Sequence, residues 1–298
     1  MHLICSIGVM AYNEEANIGY LLESLLNQRL STCIINEIIV VASGCTDGTV
    51  EIVESFARSS DRIKLMIQEK RKGKASAINI FLAGAKGDII ILVSGDTIPE
   101  NETIENLVRP FQDPDTGMTG ARPVPVNSKD TFMGFTTHLY WRMHHELARN
   151  QPKLGELIAF RNVVREIPED TAVDEASIEA VITEAGYRTY YAGDAIVHNK
   201  GPETVGDFLK QRRRIVAGHV HLKATSNYRV SSEKFGNLFG LFGVLFGQTG
   251  CNAKIMVWTC GAICLESLGR FLGAYDYHIR RKNPFNWDIA KTTKNPKK

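Results

Sequence analysis

The stretch Ile89–Glu100, IIILVSGDTIPE, most tightly limits what this chain can fold into. Its five consecutive apolar residues, Ile89 to Val93, leave no polar face. Such a strand suits burial on both sides, as in a parallel sheet covered by helices. It ends in Ser94, Gly95 and Asp96, so a carboxylate is delivered at its C-terminal end. In open α/β sheets that edge is where ligands bind. Ser, Gly and Asp are also common turn residues, and taken alone the stretch supports a plain turn equally well.

The preceding segments repeat the theme. Leu3–Met10, Glu37–Ala42 and Ile63–Ile67 read as strands. Between them, Ile18, Leu21, Leu22 and Leu25 have helical spacing, with Asn13 as a candidate cap and Glu14 and Glu15 in the first turn. Thr49–Ala57 and Lys74–Ala85 read as further helices. Strand alternating with helix implies right-handed βαβ units and a parallel sheet, with the turns after the strands gathered on one edge.

Composition narrows the function. The chain has 298 residues, 44% of them hydrophobic, enough for one large domain or two small ones. A formal charge of +2 gives no case for a nucleic-acid partner. The six cysteines form no double CxxC pattern, and a reducing compartment fits them best. The N-terminal MHLICSIGVMAYNEE has no basic leader and reads as a first strand.

Three of the turns carry chemistry: AYNEE after the first strand, SGCTDGT at 43–49, and SGD. Neither GxGxxG nor a P-loop occurs. Glu69–Asn79, EKRKGKASAIN, is a cationic, glycine-containing entry to a helix, able to hold a diphosphate through Lys74 and backbone N–H groups. A solvated charge run has the same composition. From 126 to 230 the pattern is less regular. Thr131–Asn150 reads as helical, Asp174–Glu175 opens another helix, and QRRRI at 211–215 follows. Carboxylates at a helix start are often only dipole partners.

Taken in order, these features resemble family 2 glycosyltransferases with the GT-A fold, over roughly residues 4–225. EIIVVASGCTDGT is similar to the family's VVDDGSTDGT element, KGKASAIN to GKAxALN, SGD to D-x-D, DEASI to the EDxxL segment with the catalytic base, and QRRRI to the Q-x-x-R-W of cellulose-synthase-like members. Departures stand beside the matches. Ala42 and Ser43 replace the usual acidic pair, Ser94 the first Asp of D-x-D, and Ile215 the Trp. The resemblance implies a mostly parallel α/β sheet and inverting transfer of a sugar from a nucleotide-diphosphate sugar to an acceptor hydroxyl. It casts Glu175 as the base, with Asp174 its neighbour and runner-up. Donor binding falls to Tyr12, Glu14, Ser43, Asp47, Lys74, Ser94, Asp96, Gln211 and Arg214. Asp96 and His198 would hold Mn²⁺ or Mg²⁺, the imidazole favouring Mn²⁺. Uridine and guanosine donors stay open.

The implied organisation is a glycosyltransferase domain over 1–230, with a nucleotide-sugar half at 1–125 and an acceptor half at 126–230, followed by a membrane-associated helical region at 231–298. FGNLFGLFGVLFGQTG is short for a spanning helix, and the segment after it carries Glu266 and Arg270. Interfacial helices suit both, as does a soluble helical cap. Basic residues in the tail (Arg280, Arg281, Lys282, Lys291, Lys294, Lys297, Lys298) suit an anionic cytoplasmic leaflet. The expected partners are the donor, a membrane surface and a lipid-linked or glycan acceptor, and the chain length favours addition of one sugar. The alternatives are a non-catalytic membrane-bound relative and a polyprenyl-phosphate sugar synthase.

Overall fold

The structure is a computed structural model and describes residues 2–225, 252–281 and 291–293. The apolar segment 235–250, Lys282, Lys294, Lys297 and Lys298 lie outside the described residues.

The chain runs β1 (Leu3–Ala11), α1 (Ile18–Leu26), β2 (Cys33–Ser43), α2 (Thr49–Ser59), β3 (Ile63–Gln68), α3 (Lys74–Gly84), β4 (Ile89–Ser94), β5 (Ile98–Pro99) and α4 (Thr103–Val108). It continues through β6 (Thr116–Pro125), α5 (Phe132–Ala148), β7 (Leu157–Arg161), α6 (Asp174–Glu184), β8 (Arg188–Asn199), α7 (Val205–Thr225) and α8 (Ala253–His278). One sheet holds all eight strands, in the order β3-β2-β1-β4-β7-β6-β8-β5. The strands β3, β2, β1 and β4 are mutually parallel. Beyond β4 the sheet becomes mixed, because β7 runs antiparallel to both β4 and β6 while β6 and β8 pair in parallel.

Alternation along the strands divides the core into two layers. Ile7, Val9, Ile89, Ile91 and Val93 face α1, α2 and α4. Ile39, Val41, Ile90 and Leu92 face α3 and α6, where Ile78, Phe81, Ile178 and Ile182 meet them. Both faces of β4 are therefore buried, as its unbroken apolar run requires. The parallel register sets Met10 beside both Val41 and Ser94, so the turns after β1, β2 and β4 share one edge.

Asn13 does not cap α1, which begins at Ile18. It sits at φ 52° and its Oδ1 accepts a hydrogen bond from Thr46 N at 2.8 Å, tying the first turn to the second. Thr131 does cap α5, accepting from Gly134 N at 3.1 Å.

Helix α8 lies along α7. A Cβ on Gly269 would stand 2.8 Å from Arg212 Cβ, and one on Gly273 2.7 Å from Val216 Cβ, so only glycine permits the approach. Polar groups fix the pair: Arg213 donates to Asp276 at 2.6 and 2.8 Å, and Glu266 receives Arg212 and Arg270 at 2.6 and 2.7 Å. The outward face is a stripe of Met256, Val257, Cys260, Cys264, Leu268, Phe271, Tyr275 and Ile279 at helical spacing, with Val257 and Phe271 both 68% exposed. By length and composition α8 could cross a membrane.

Candidate active site

A cavity of about 1520 Å³ opens at the shared strand edge. The turn after β1 gives it Tyr12 and Glu14, the end of β2 gives Ser43, and the turn after β4 gives Ser94 and Asp96. Lys74 enters from the first residue of α3, Asp174 and Glu175 from the first turn of α6, and Gln211 and Arg214 from α7. Ten of the residues singled out in the sequence thus meet in one space.

Lys74 is its electrostatic hinge. Gly73 precedes it at φ 98°, a conformation that favours glycine, and turns the chain into α3. The Lys74 ammonium stands 2.7 Å from Asp174 Oδ2 and 3.3 Å from Glu175 Oε1. Burial would lower the lysine's pKa, but the two carboxylates outweigh it and hold the proton more tightly than usual. Burial pushes Glu175 up, yet Lys74, its own backbone N–H and Arg214 together keep it below the ordinary carboxylate range. Asp174 is pushed the other way, by burial and by the Glu175 charge beside it. Two adjacent carboxylates at one helix start are thereby made unequal.

On the strand-edge side, the Arg71 guanidinium lies 4.1 Å above the Tyr12 ring, leaving an aromatic and cationic wall. Glu14 is buried and accepts from Asn17 Nδ2 at 2.9 Å. Ser43 donates to Gln68 at 2.5 Å. Asp47 is not among the lining residues. Its oxygens accept from Thr49 N, Thr49 Oγ1 and Glu15 N, so it fastens the start of α2 to the first turn.

His198 is also absent from the cavity wall. Side chains alternate along β8, so Asn199 faces the cavity, which Lys200 just beyond the strand also lines, while the His198 ring bonds Glu100 at 2.9 Å. The imidazole argument for manganese lapses with it. Among the described residues no three His, Cys, Asp or Glu side chains form a metal cage. What remains around Asp96 is oxygen chemistry. That suits a hard divalent cation that takes most of its ligands from phosphate and water, and to that extent the residues fit such an ion.

Glu156 had no motif to announce it. It immediately precedes β7, whose Leu157 pairs with Val93, and so lies across from the Ser94–Asp96 turn. Its backbone is left-handed, at φ 62°. Burial, with the Asp96 and Glu175 charges, raises its carboxyl to about 7. Arg214 faces Asp174, Glu175, Glu156 and Asp96 together.

Away from the strand edge, α5, α7 and α8 form the wall. Arg212 lies 5.0 Å from the Tyr140 ring and 2.6 Å from Glu266, which Arg270 also meets. Lys153 lines this part as well. It too went unmarked in the sequence, because 149–173 has neither strand nor helix periodicity outside β7.

The architecture has known relatives. The mannosyltransferase PcManGT of Pyrobaculum calidifontis, solved with GDP-Man and Mn²⁺, superposes with a TM-score of 0.64 at 20% identity, covering 95% of this chain and 87% of that one. The fold is therefore GT-A. The description "Glycosyl transferase family 2" matches residues 6–164, and "Glycosyl transferase family group 2" matches 89–265. The chain belongs to glycosyl transferase family 2. It is 24% identical over 228 residues to an N-acetylglucosaminyltransferase of Rhizobium sp., covering 69% of this chain and 50% of that protein. It is 27% identical over 220 residues to the poly-beta-1,6-N-acetyl-D-glucosamine synthase of Staphylococcus aureus, covering 70% and 52%. The chain thus spans about half the length of these two curated relatives.

Proposed function

We propose that the protein transfers a sugar from a nucleotide-diphosphate sugar to an acceptor hydroxyl, inverting the anomeric carbon. The observation that carries this reading is the meeting of Asp96, Lys74 and Glu175, from three separate segments, in one cavity. Tyr12, Arg71, Glu14 and Ser43 would shape the nucleoside end. Lys74 and the first N–H groups of α3 would receive the diphosphate, with Arg214 beside them and Gln211 toward the acceptor. Asp96 would hold a divalent cation, Mg²⁺ or Mn²⁺, whose chemistry is to neutralise charge on the leaving diphosphate.

In the step itself, the acceptor oxygen forms its bond to the anomeric carbon as the bond to the phosphate oxygen breaks. The bonding pair leaves with the nucleoside diphosphate, and the acceptor's proton passes to Glu175. Asp174, held closer to neutral, orients the pair. Lys74 links the two halves of the reaction. A diphosphate competes for its ammonium, and a carboxylate released from that ion pair is the stronger base.

The working arrangement is a nucleotide-sugar half at 1–125, an acceptor half at 126–230 and a membrane-associated region from 231. The outward apolar stripe of α8 supports association with a membrane surface, the basic Arg280 and Arg281 after it suit an anionic cytoplasmic leaflet, and a lipid-linked acceptor would be at hand there. The test is calorimetric binding of UDP and GDP to the detergent-purified protein, with and without Mn²⁺, for wild type and Asp96→Asn. Metal-dependent binding of one nucleotide, lost in the variant, is expected and selects the donor. Binding of neither would favour a non-catalytic relative, for which the Ser94 and Ile215 departures speak.

A further inference from the structure

The part of the cavity walled by α5, α7 and α8 has a charge arrangement the transfer step does not use. Arg212 and Arg270 share a single carboxylate, Glu266, whose side chain is only 8% exposed. Lys153 stands in their field. Other lining cations have partners: Lys74 meets Asp174, Arg213 meets Asp276, Lys210 meets Asp207. Lys153 has no carboxylate within ion-pair distance among the described residues, although it lines the same space. Burial, then Arg212 and Arg270, bring its pKa down to about 8, outweighing the opposing Glu266 and Glu179 charges. His144 is held neutral by burial, at about 3, and adds no charge. This wall of the cavity sets three cations, Lys153, Arg212 and Arg270, against the two carboxylates Glu266 and Glu179, and so is short of negative charge.

We infer that Lys153, with Arg212 and Arg270, forms an anion subsite that holds a phosphate group of the acceptor. The inference rests on the transferase reading and names the acceptor's chemistry. Phosphate fits better than carboxylate because its three acceptor oxygens and larger negative charge suit three cations, whereas a carboxylate has two oxygens and a single charge. The subsite is walled by α7 and α8, and the outer face of α8 is the apolar stripe. A phosphate held here could therefore belong to a lipid headgroup or to a soluble phosphorylated glycan.

The test uses the full chain in detergent micelles. Binding of a long-chain polyprenyl phosphate, its unphosphorylated alcohol and a soluble sugar phosphate is measured for wild type, Lys153→Met and Lys153→Arg. UDP and GDP binding is the control for folding and for the strand-edge site. Wild type is expected to bind a phosphorylated probe, Lys153→Met to lose at least about ten-fold, about 1.4 kcal/mol, and Lys153→Arg to stay near wild type with nucleotide binding unchanged. Binding of the lipid phosphate alone assigns the headgroup, and binding of both probes assigns a free phosphate. The subsite is overturned if no phosphorylated probe binds, if Lys153→Met binds as wild type does, if the alcohol binds equally well, or if UDP or GDP displaces the probe competitively. Donor hydrolysis in the same preparation separates the two readings. Phosphate binding without hydrolysis removes the transferase reading and keeps the subsite, whereas hydrolysis without phosphate binding does the reverse.

Discussion

Replacing Glu175 with Gln keeps the shape of the α6 turn and removes a proton acceptor. Turnover is expected to fall by about 10²–10⁴, the usual contribution of a general base, while nucleotide binding by calorimetry stays within a few-fold of wild type. Wild-type turnover in that variant would move the role to Asp174. Lys74→Met should behave differently, weakening nucleoside diphosphate binding at least ten-fold, because the proposed diphosphate contact is made by the same ammonium that meets the carboxylate pair at 2.7 and 3.3 Å. These residues were legible in the sequence because each sits where a regular element begins or ends. Asp96 follows a strand that could only be buried, and Lys74 and Asp174 are first residues of helices. The family resemblance alone places Asp47 and His198 in the site. Their side chains turn elsewhere, one into a loop clasp and one to the other side of a strand.

At the scale of elements, the link between α1 and β2 depends on a residue that no motif marks. Glu105 in α4 accepts from Ser31 N at 2.9 Å and Thr32 N at 3.0 Å, and from both hydroxyls at 2.8 Å. Burial would raise its pKa, but these four donors hold it down at about 2. A depressed carboxylate contributes stability above its unfolded pKa, near 4.3, and loses it as pH falls toward 2. Glu105→Gln should therefore cost on the order of 2–3 kcal/mol at pH 7 and flatten the acid limb of a thermal-denaturation series between pH 4.5 and 2.5. An unchanged limb would show that another carboxylate governs it. The parallel half of the fold could be read from periodicity, since β1, β2, β4 and their helices are regular. The mixed half could not. Its β7 is flanked by irregular segments, 149–156 and 162–173, and its pairing is defined only in the folded sheet; Lys153 and Glu156 lie in the first of them.

For the whole molecule, α8 is amphipathic in an unusual sense, since its inner face carries Glu266 and Asp276 in ion pairs and its outer face is apolar. Lying in a bilayer surface satisfies both faces, whereas spanning alone would strand those carboxylates in hydrocarbon. The full chain should float with anionic liposomes, and Val257→Glu with Phe271→Glu should release it. Flotation of that double variant at the wild-type level would remove α8 as the anchor. On the proposed mechanism, the Lys74 contact with Asp174 and Glu175 would also set an order of events. While both carboxylates are held by the lysine, an acceptor that arrives first meets no ready base, and only the donor's phosphates compete for that ammonium. Turnover should accordingly follow a compulsory order, donor first. The released nucleoside diphosphate would then inhibit competitively against the donor and noncompetitively against the acceptor in steady-state kinetics.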